Sequence, residues 1–156
     1  MVGNLSRLKS RKMGTISKNF SYSEFEASET ATRLGIDNHI TTFAVRDAVK
    51  NLVVNLLQPI RDIYKQPMPI NSGYRCYRLN KAVGGVASSQ HCKGEAADIG
   101  IGTTKKVYNF AKKVKESRIP FDQMILYPTF VHLSLKLNGQ QRKQILYNKT
   151  YKGNRL

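Results

Sequence analysis

Tryptophan is absent, cysteine occurs twice, and 10 acidic residues stand against 26 lysines and arginines. Each shortage excludes something. Two cysteines, Cys76 and Cys92, cannot supply the cross-linked framework of a small secreted scaffold. A chain of 156 residues, 40% of them hydrophobic, is long enough to bury a core without one. No apolar run approaches the roughly 20 residues that cross a bilayer, so no membrane span is expected. Arg7, Lys9, Arg11 and Lys12 near the start are not followed by an apolar stretch. Synthesis in a cytoplasm without a signal peptide is therefore expected, with both thiols reduced. Repeats and dividing linkers are also missing, which predicts a basic arm at residues 1–18 and a single domain at 19–156, acting as a monomer. The scarcity of acids leaves a formal charge of +16, a field that favours an anionic partner such as a cell envelope. Helix-turn-helix, RNP and zinc-finger spacings are absent, so specific nucleic-acid recognition is not expected.

What is present reads as an α+β domain. Ser21 followed by Glu24 and Glu26 has the composition of a short helix start. Over residues 41–65, Val45, Ala48, Val49, Leu52, Val53, Leu56, Ile60 and Ile63 recur at spacings of three and four and predict an amphipathic helix facing the core. Pro59 lacks a backbone donor and should interrupt that helix near residues 55–57. His39, just ahead of it in a polar stretch, reads as structural or exposed. Residues 67–74 switch to an extended run that delivers Arg75, and residues 77–83 form a short helix ended by Gly84 and Gly85. Thr103 and Thr104 cap a helix with Val107, Phe110, Ala111 and Val114 inward and a lysine-rich face in water. Residues 122–127 and 130–137 read as two strands joined at Pro128 and Thr129, with 144–147 as a further edge strand.

The chemistry gathers at Ser88-Ser89-Gln90-His91-Cys92-Lys93-Gly94-Glu95-Ala96-Ala97-Asp98-Ile99 and at Phe130-Val131-His132-Leu133-Ser134. From Gly94 onward, alternation puts Ala96, Asp98 and Gly100 on one face of a strand and Ala97, Ile99 and Ile101 on the other. The second run repeats the pattern, with His132 and Ser134 opposite three aliphatics. Two neighbouring strands thus aim Asp98 and His132 at one point, with His91 arriving from the preceding loop. Two imidazoles and one carboxylate are the minimal protein ligand set of an open zinc site. Taken singly, each histidine is better accounted for as a loop or half-buried structural residue, because most histidines bind nothing.

The surroundings decide between these readings. Ser72-Gly73-Tyr74-Arg75, Leu79-Asn80, Val83-Gly84-Gly85, Ser88-Ser89-Gln90-His91, Gly94-Glu95-Ala96-Ala97-Asp98-Ile99 and Val131-His132 follow one another in order. Asn19-Phe20, Ser23-Glu24-Phe25, Asn38 and Leu57-Gln58-Pro59-Ile60-Arg61 precede them. This series resembles the zinc D-Ala-D-Ala carboxypeptidase family over roughly residues 19–136, nearest its small single-domain branch found in phages and bacteria. The resemblance implies a small antiparallel sheet carrying a Zn2+ site and packed against helices, the fold shared with hedgehog-like peptidases. It implies metal ligands at His91, Asp98 and His132, and a carboxylate- or oxyanion-binding role for Arg75. It also implies hydrolysis of a peptidoglycan stem peptide or cross-link, in the manner of a phage endolysin acting on the cell wall from the periplasm or host envelope, or from a virion.

Many members of that family carry an acid three residues before the second histidine as general base, and here that position is Thr129. If Pro128 and Thr129 form a two-residue hairpin loop, Ile125 pairs with His132, and Gln123, Ile125 and Tyr127 share the metal face. A loop one residue longer turns Asp122 to that face instead. Asp122 and Tyr127 are thus the catalytic candidates beside Arg75, although a phenol with an ordinary pKa of about 10 is a poor base. Glu95, on the opposite parity to Asp98, is weaker still. Ser89 and Gln123 are the candidate substrate contacts. The competing expectation is a non-catalytic zinc-bearing module, structural or wall-binding, that has kept the site and lost the base.

Overall fold

The apolar stripe of residues 41–65 forms two helices joined by a widened turn. In the computed structural model, which describes residues 14–156, helix α3 (Phe43–Leu52) runs into a π-helical turn at Val53–Leu57 and continues as α4 (Gln58–Tyr64). Two short helices, α1 (Tyr22–Glu26) and α2 (Glu29–Leu34), precede them. Pro59 has no N–H for the carbonyl one turn back, and the backbone instead closes the wider bond from the Gln58 N–H to the Val53 carbonyl. The extra residue rotates the stripe. Leu57 at the end of the turn and Ile60 beyond it are buried, whereas Ile63, expected in the core, is 46% exposed. Tyr64 takes its place, edge-on to Phe110 at 5.0 Å between ring centroids.

Of the arm expected at 1–18, residues 1–13 lie outside the described residues, while β1 (Thr15–Ser17) pairs with β2 (Phe20–Ser21). Gln58 ties this hairpin to α4, accepting from the Ser17 hydroxyl at 2.6 Å.

The main sheet has five strands in the order β3-β4-β6-β5-β7: β3 (Ile70–Ser72), β4 (Ala96–Gly100), β5 (Gln123–Leu126), β6 (Phe130–Ser134) and β7 (Gln144–Tyr147). One face is apolar. Ile99, Val131, Leu133, Met124 and Leu126 are fully buried with the α3–α4 stripe and with Val107, Phe110, Ala111 and Val114 of α6 (Thr104–Ser117), capped by Thr103. The helix α5 (Tyr77–Ala82) and the 3-10 turn Gln90–Lys93 lie on the connection from β3 to β4.

The first four strands pair antiparallel as expected, but β7 joins β5 in parallel. The cause is Asp122. Its carboxylate is fully buried and receives the Arg142 backbone N–H at 2.8 Å, the Arg142 guanidinium at 2.6 Å and the Lys136 ammonium at 3.7 Å. Its carbonyl receives the Gln144 N–H at 3.0 Å. The chain leaving β6 is thereby drawn back to the start of β5 and runs alongside it.

Burial raises the Asp122 pKa, but the hydrogen bonds and charge of Arg142 outweigh that and pull it from 3.8 to about 2. A depressed carboxylate contributes stability above its unfolded pKa and loses it as pH falls through the folded one, here between about pH 4 and 2. The stability deficit of Asp122→Asn, read by urea unfolding, should therefore shrink by roughly 2 kcal/mol on going from pH 6 to pH 2. A deficit independent of pH contradicts this role for the carboxylate.

Candidate metal centre and substrate cavity

Pairing of β4 with β6 sets Asp98 opposite His132, and β5 adds Ile125 on the other side of His132. The Tyr127 N–H bonds the Phe130 carbonyl at 3.0 Å, so Pro128 and Thr129 are the two-residue loop. His91 enters from the 3-10 turn, which Ser89 caps by accepting the His91 N–H at 3.2 Å and which Gly94 ends at φ 74°. A side chain at Gly94 is excluded twice over, because its Cβ would also lie 2.7 Å from the Val45 carbonyl oxygen.

One ligand atom from each of His91, Asp98 and His132 lies within 4.8 Å of the others. His91 Nε2 is 3.3 Å and His132 Nδ1 2.9 Å from Asp98 Oδ1, with the two rings 5.1 Å apart. Behind the cluster, His91 Nδ1 is 2.7 Å from the Gly73 carbonyl. That bond fixes the tautomer with the proton on Nδ1 and leaves the Nε2 lone pair facing inward. Burial pushes the Asp98 carboxyl up, yet the imidazoles beside it, His132 first and then His91, hold it well below the usual carboxylate range. Three donors of this type, with one orienting bond already in place and a cavity on the open side, fit a tetrahedral metal with its fourth position free.

The cavity, of about 390 Å³, is lined by Arg75, Val86, Ser88, Ser89, Gln90, Gln123, Ile125, Tyr127 and Arg142 around the three ligand-type residues. Arg75 is locked to the His91 loop: its N–H bonds the His91 carbonyl at 3.1 Å and its Nη2 the Ser89 hydroxyl at 3.3 Å. Its Nε is buried with no partner, a donor aimed at nothing within the protein. Asn38 braces this loop, donating to the Glu26 and Tyr74 carbonyls and accepting from the Cys76 N–H. Burial, then the Asp98 charge, raises the Tyr127 pKa, so the phenol stays protonated at neutral pH and can donate but not serve as a base.

The structure thus brings Arg75, Ser89, Gln123 and Tyr127 to the cavity, and does not bring Asp122. That side chain is buried behind the cleft wall, in its bonds with Arg142, Gln90 and Lys136. Glu95 is engaged by the Leu137 N–H at 2.9 Å, and among the described residues the lining contains no carboxylate besides Asp98. His39 is exposed beside Asp37, and Cys76 and Cys92 are free thiols. Sequence reasoning missed Arg142 and the use of Gln90. The one available signal was Asp122 itself, a carboxylate that must find a cation once buried, but the choice among 26 cations is made by the fold.

Two histidines and an aspartate at the floor of an open polar cleft, with a cation beside them, are the donor set of a hydrolytic metal centre. The chain belongs to the peptidase M15 family, whose model matches residues 18–134, three quarters of its length. Comparison with curated proteins gives no match. The fold and the class of peptidase expected from the motif series agree with that family.

Equilibrium dialysis against Zn2+ should give one ion per chain. His91→Ala and His132→Ala should each weaken that binding by at least about 100-fold, more than the usual loss of an orienting partner, while far-UV circular dichroism reports an intact domain. Unchanged affinity in either variant removes that residue from the site.

Proposed function

We propose that the protein is a zinc-dependent peptidoglycan peptidase that cuts a stem-peptide or cross-link amide and acts on the cell wall in the manner of an endolysin. The observation that carries this reading is the convergence of His91, Asp98 and His132 at the floor of a cleft whose wall holds Arg75 with an unpaired buried donor. Zinc held there would supply a water ionised near neutral pH and would polarise the scissile carbonyl. The remaining work falls to the chain itself. Arg75 holds a substrate carboxylate or the developing oxyanion, and Ser89 keeps its guanidinium in place. Tyr127, which keeps its proton, donates a hydrogen bond to the reacting peptide, and Gln123 contacts the substrate backbone from the same strand face. The formal charge of +16 draws the enzyme to an anionic envelope.

One observation favours a second reading, a zinc-bearing wall-binding or structural module without turnover. Thr129 occupies the position where many members of the family carry the base, and its carbonyl accepts the Ile101 and Gly102 N–H groups, so that residue is part of the loop architecture. Mass-resolved products of a muropeptide digest separate the two: chelator-sensitive cleavage restored by Zn2+ supports the peptidase, and binding without any product supports the module.

Arg75→Lys should lower kcat/KM by about 10- to 1000-fold, because a point charge does not reproduce the planar fork. The defect relative to wild type should persist at 1 M salt, where the Debye length is about 3 Å and general attraction to the wall has faded. If the two proteins converge at high salt, Arg75 acts only through the surface field.

A further inference from the structure

A second arginine stands at the cleft, on the opposite flank from the first. In the sheet order β3-β4-β6-β5-β7, Arg75 follows β3 and Arg142 precedes β7, so the strands that carry Asp98 and His132 lie between them. Arg142 is also outside the residues that the family model matches.

Its guanidinium is held from behind. Nε binds Asp122 Oδ1 and Oδ2 at 3.2 and 3.1 Å, and Nη2 binds Oδ2 at 2.6 Å and the Gln90 Oε1 at 3.3 Å. Asp122 has no exposed surface, whereas the Arg142 side chain is 45% exposed. The Nε–Nη2 edge is thus consumed by a buried, immobile carboxylate. Among the described residues Nη1 has no partner, and Arg142 lines the cleft beside Gln90 and Gln123, whose amide nitrogens already donate to Asp122 at 3.1 Å and to Gln144 at 2.6 Å, which leaves Nη1 as the free donor. A guanidinium carries five N–H donors in a rigid fork, and one whose rear edge is fixed loses little entropy when its front edge binds an anion.

The charge balance points the same way. The lining holds two arginines and one carboxylate, Asp98, which is already committed to both imidazoles. The negative charge of Asp122 is met by Lys136 as well as by Arg142, leaving that cluster one positive charge in excess. A neutral peptide carbonyl can accept from a second fixed guanidinium but leaves its charge unbalanced in a 390 Å³ cleft; a second carboxylate accepts from the fork and balances the charge.

We propose that Arg142, flanked by Gln90 and Gln123, is a carboxylate subsite, and that the substrate is an acidic peptide with a free carboxylate on the far side of the scissile amide from the group held by Arg75. The subsite rests on the peptidase reading for its position in a reaction, but binding tests it independently. The probes are a synthetic stem pentapeptide with all carboxyls free and its analogues in which each carboxyl in turn is a carboxamide.

Wild-type zinc-loaded protein should lose about 10- to 100-fold in Kd, by calorimetry, and in KM when one particular carboxyl is amidated, the range of a charge-assisted hydrogen bond. Arg142→Gln should bind the free acid and that amide equally, while still discriminating at a different carboxyl, the one served by Arg75. Should the single variant fail to fold with Asp122 unpaired, Asp122→Asn/Arg142→Gln supplies a neutral amide pair in the same place and decides the question. The proposal is overturned if no carboxyl other than the Arg75 partner matters to wild type, or if the preference survives in either variant. Discrimination in Kd without any hydrolysis leaves the subsite standing and removes the peptidase reading, whereas hydrolysis without discrimination does the reverse.

Discussion

Everything at the site depends on the register in which β4 meets β6. Asp98 lies opposite His132 with no slack, because Ala97 and Ile99 on one strand and Val131 and Leu133 on the other must all enter the same apolar core. A slip of one residue would put the imidazole into the core and two aliphatics into the cleft, so burying that face also fixes where the ligand-type atoms stand. His91 is set by a separate device, the 3-10 turn, but the Gly73 carbonyl couples it to β3 and hence to the same sheet. Position 73 has room only for glycine, because a Cβ there would lie 2.7 Å from the Phe25 Cα.

The few acids of the chain are used in contrasting ways. Asp98 is turned towards the cleft and its negative charge is stabilised by two imidazoles. Asp122, just before β5, is buried behind the cleft wall, where it closes the path from β6 to β7 and positions Arg142. Glu95 holds the Leu137 N–H. The shortage of acids that gives the molecule its strong positive field thus coincides with a cleft whose remaining charged groups are guanidinium ions, and both favour an anionic substrate.

Elements whose cause is local were legible in the sequence. The period of 3.6 located α3, α4 and α6, Pro59 located the break, and alternation with a two-residue loop placed Ile125 beside His132. The rotation of the stripe after the π-helical turn was not legible, because periodicity counts residues and the turn adds one; Ile63 is exposed for that reason. The parallel pairing of β7 and the partner of Asp122 were also hidden. Both arise from one contact across 20 residues of chain, Asp122 with Arg142, that no spacing rule encodes. Cavity membership divided along the same line: Arg75, Ser89, Gln123 and Tyr127 sit on strands or motif loops whose faces can be counted, whereas Arg142 sits on an irregular crossover.

The central claim is that one metal ion binds where β4, β6 and the turn before β4 meet. Diffraction from zinc-soaked crystals collected above and below the zinc absorption edge tests it without reference to turnover. The account predicts one anomalous peak per chain at about 2.0–2.2 Å from His91 Nε2, an Asp98 carboxylate oxygen and a His132 ring nitrogen. A fully soaked crystal with no peak among these three residues, or with its strongest peak elsewhere on the molecule, would contradict it.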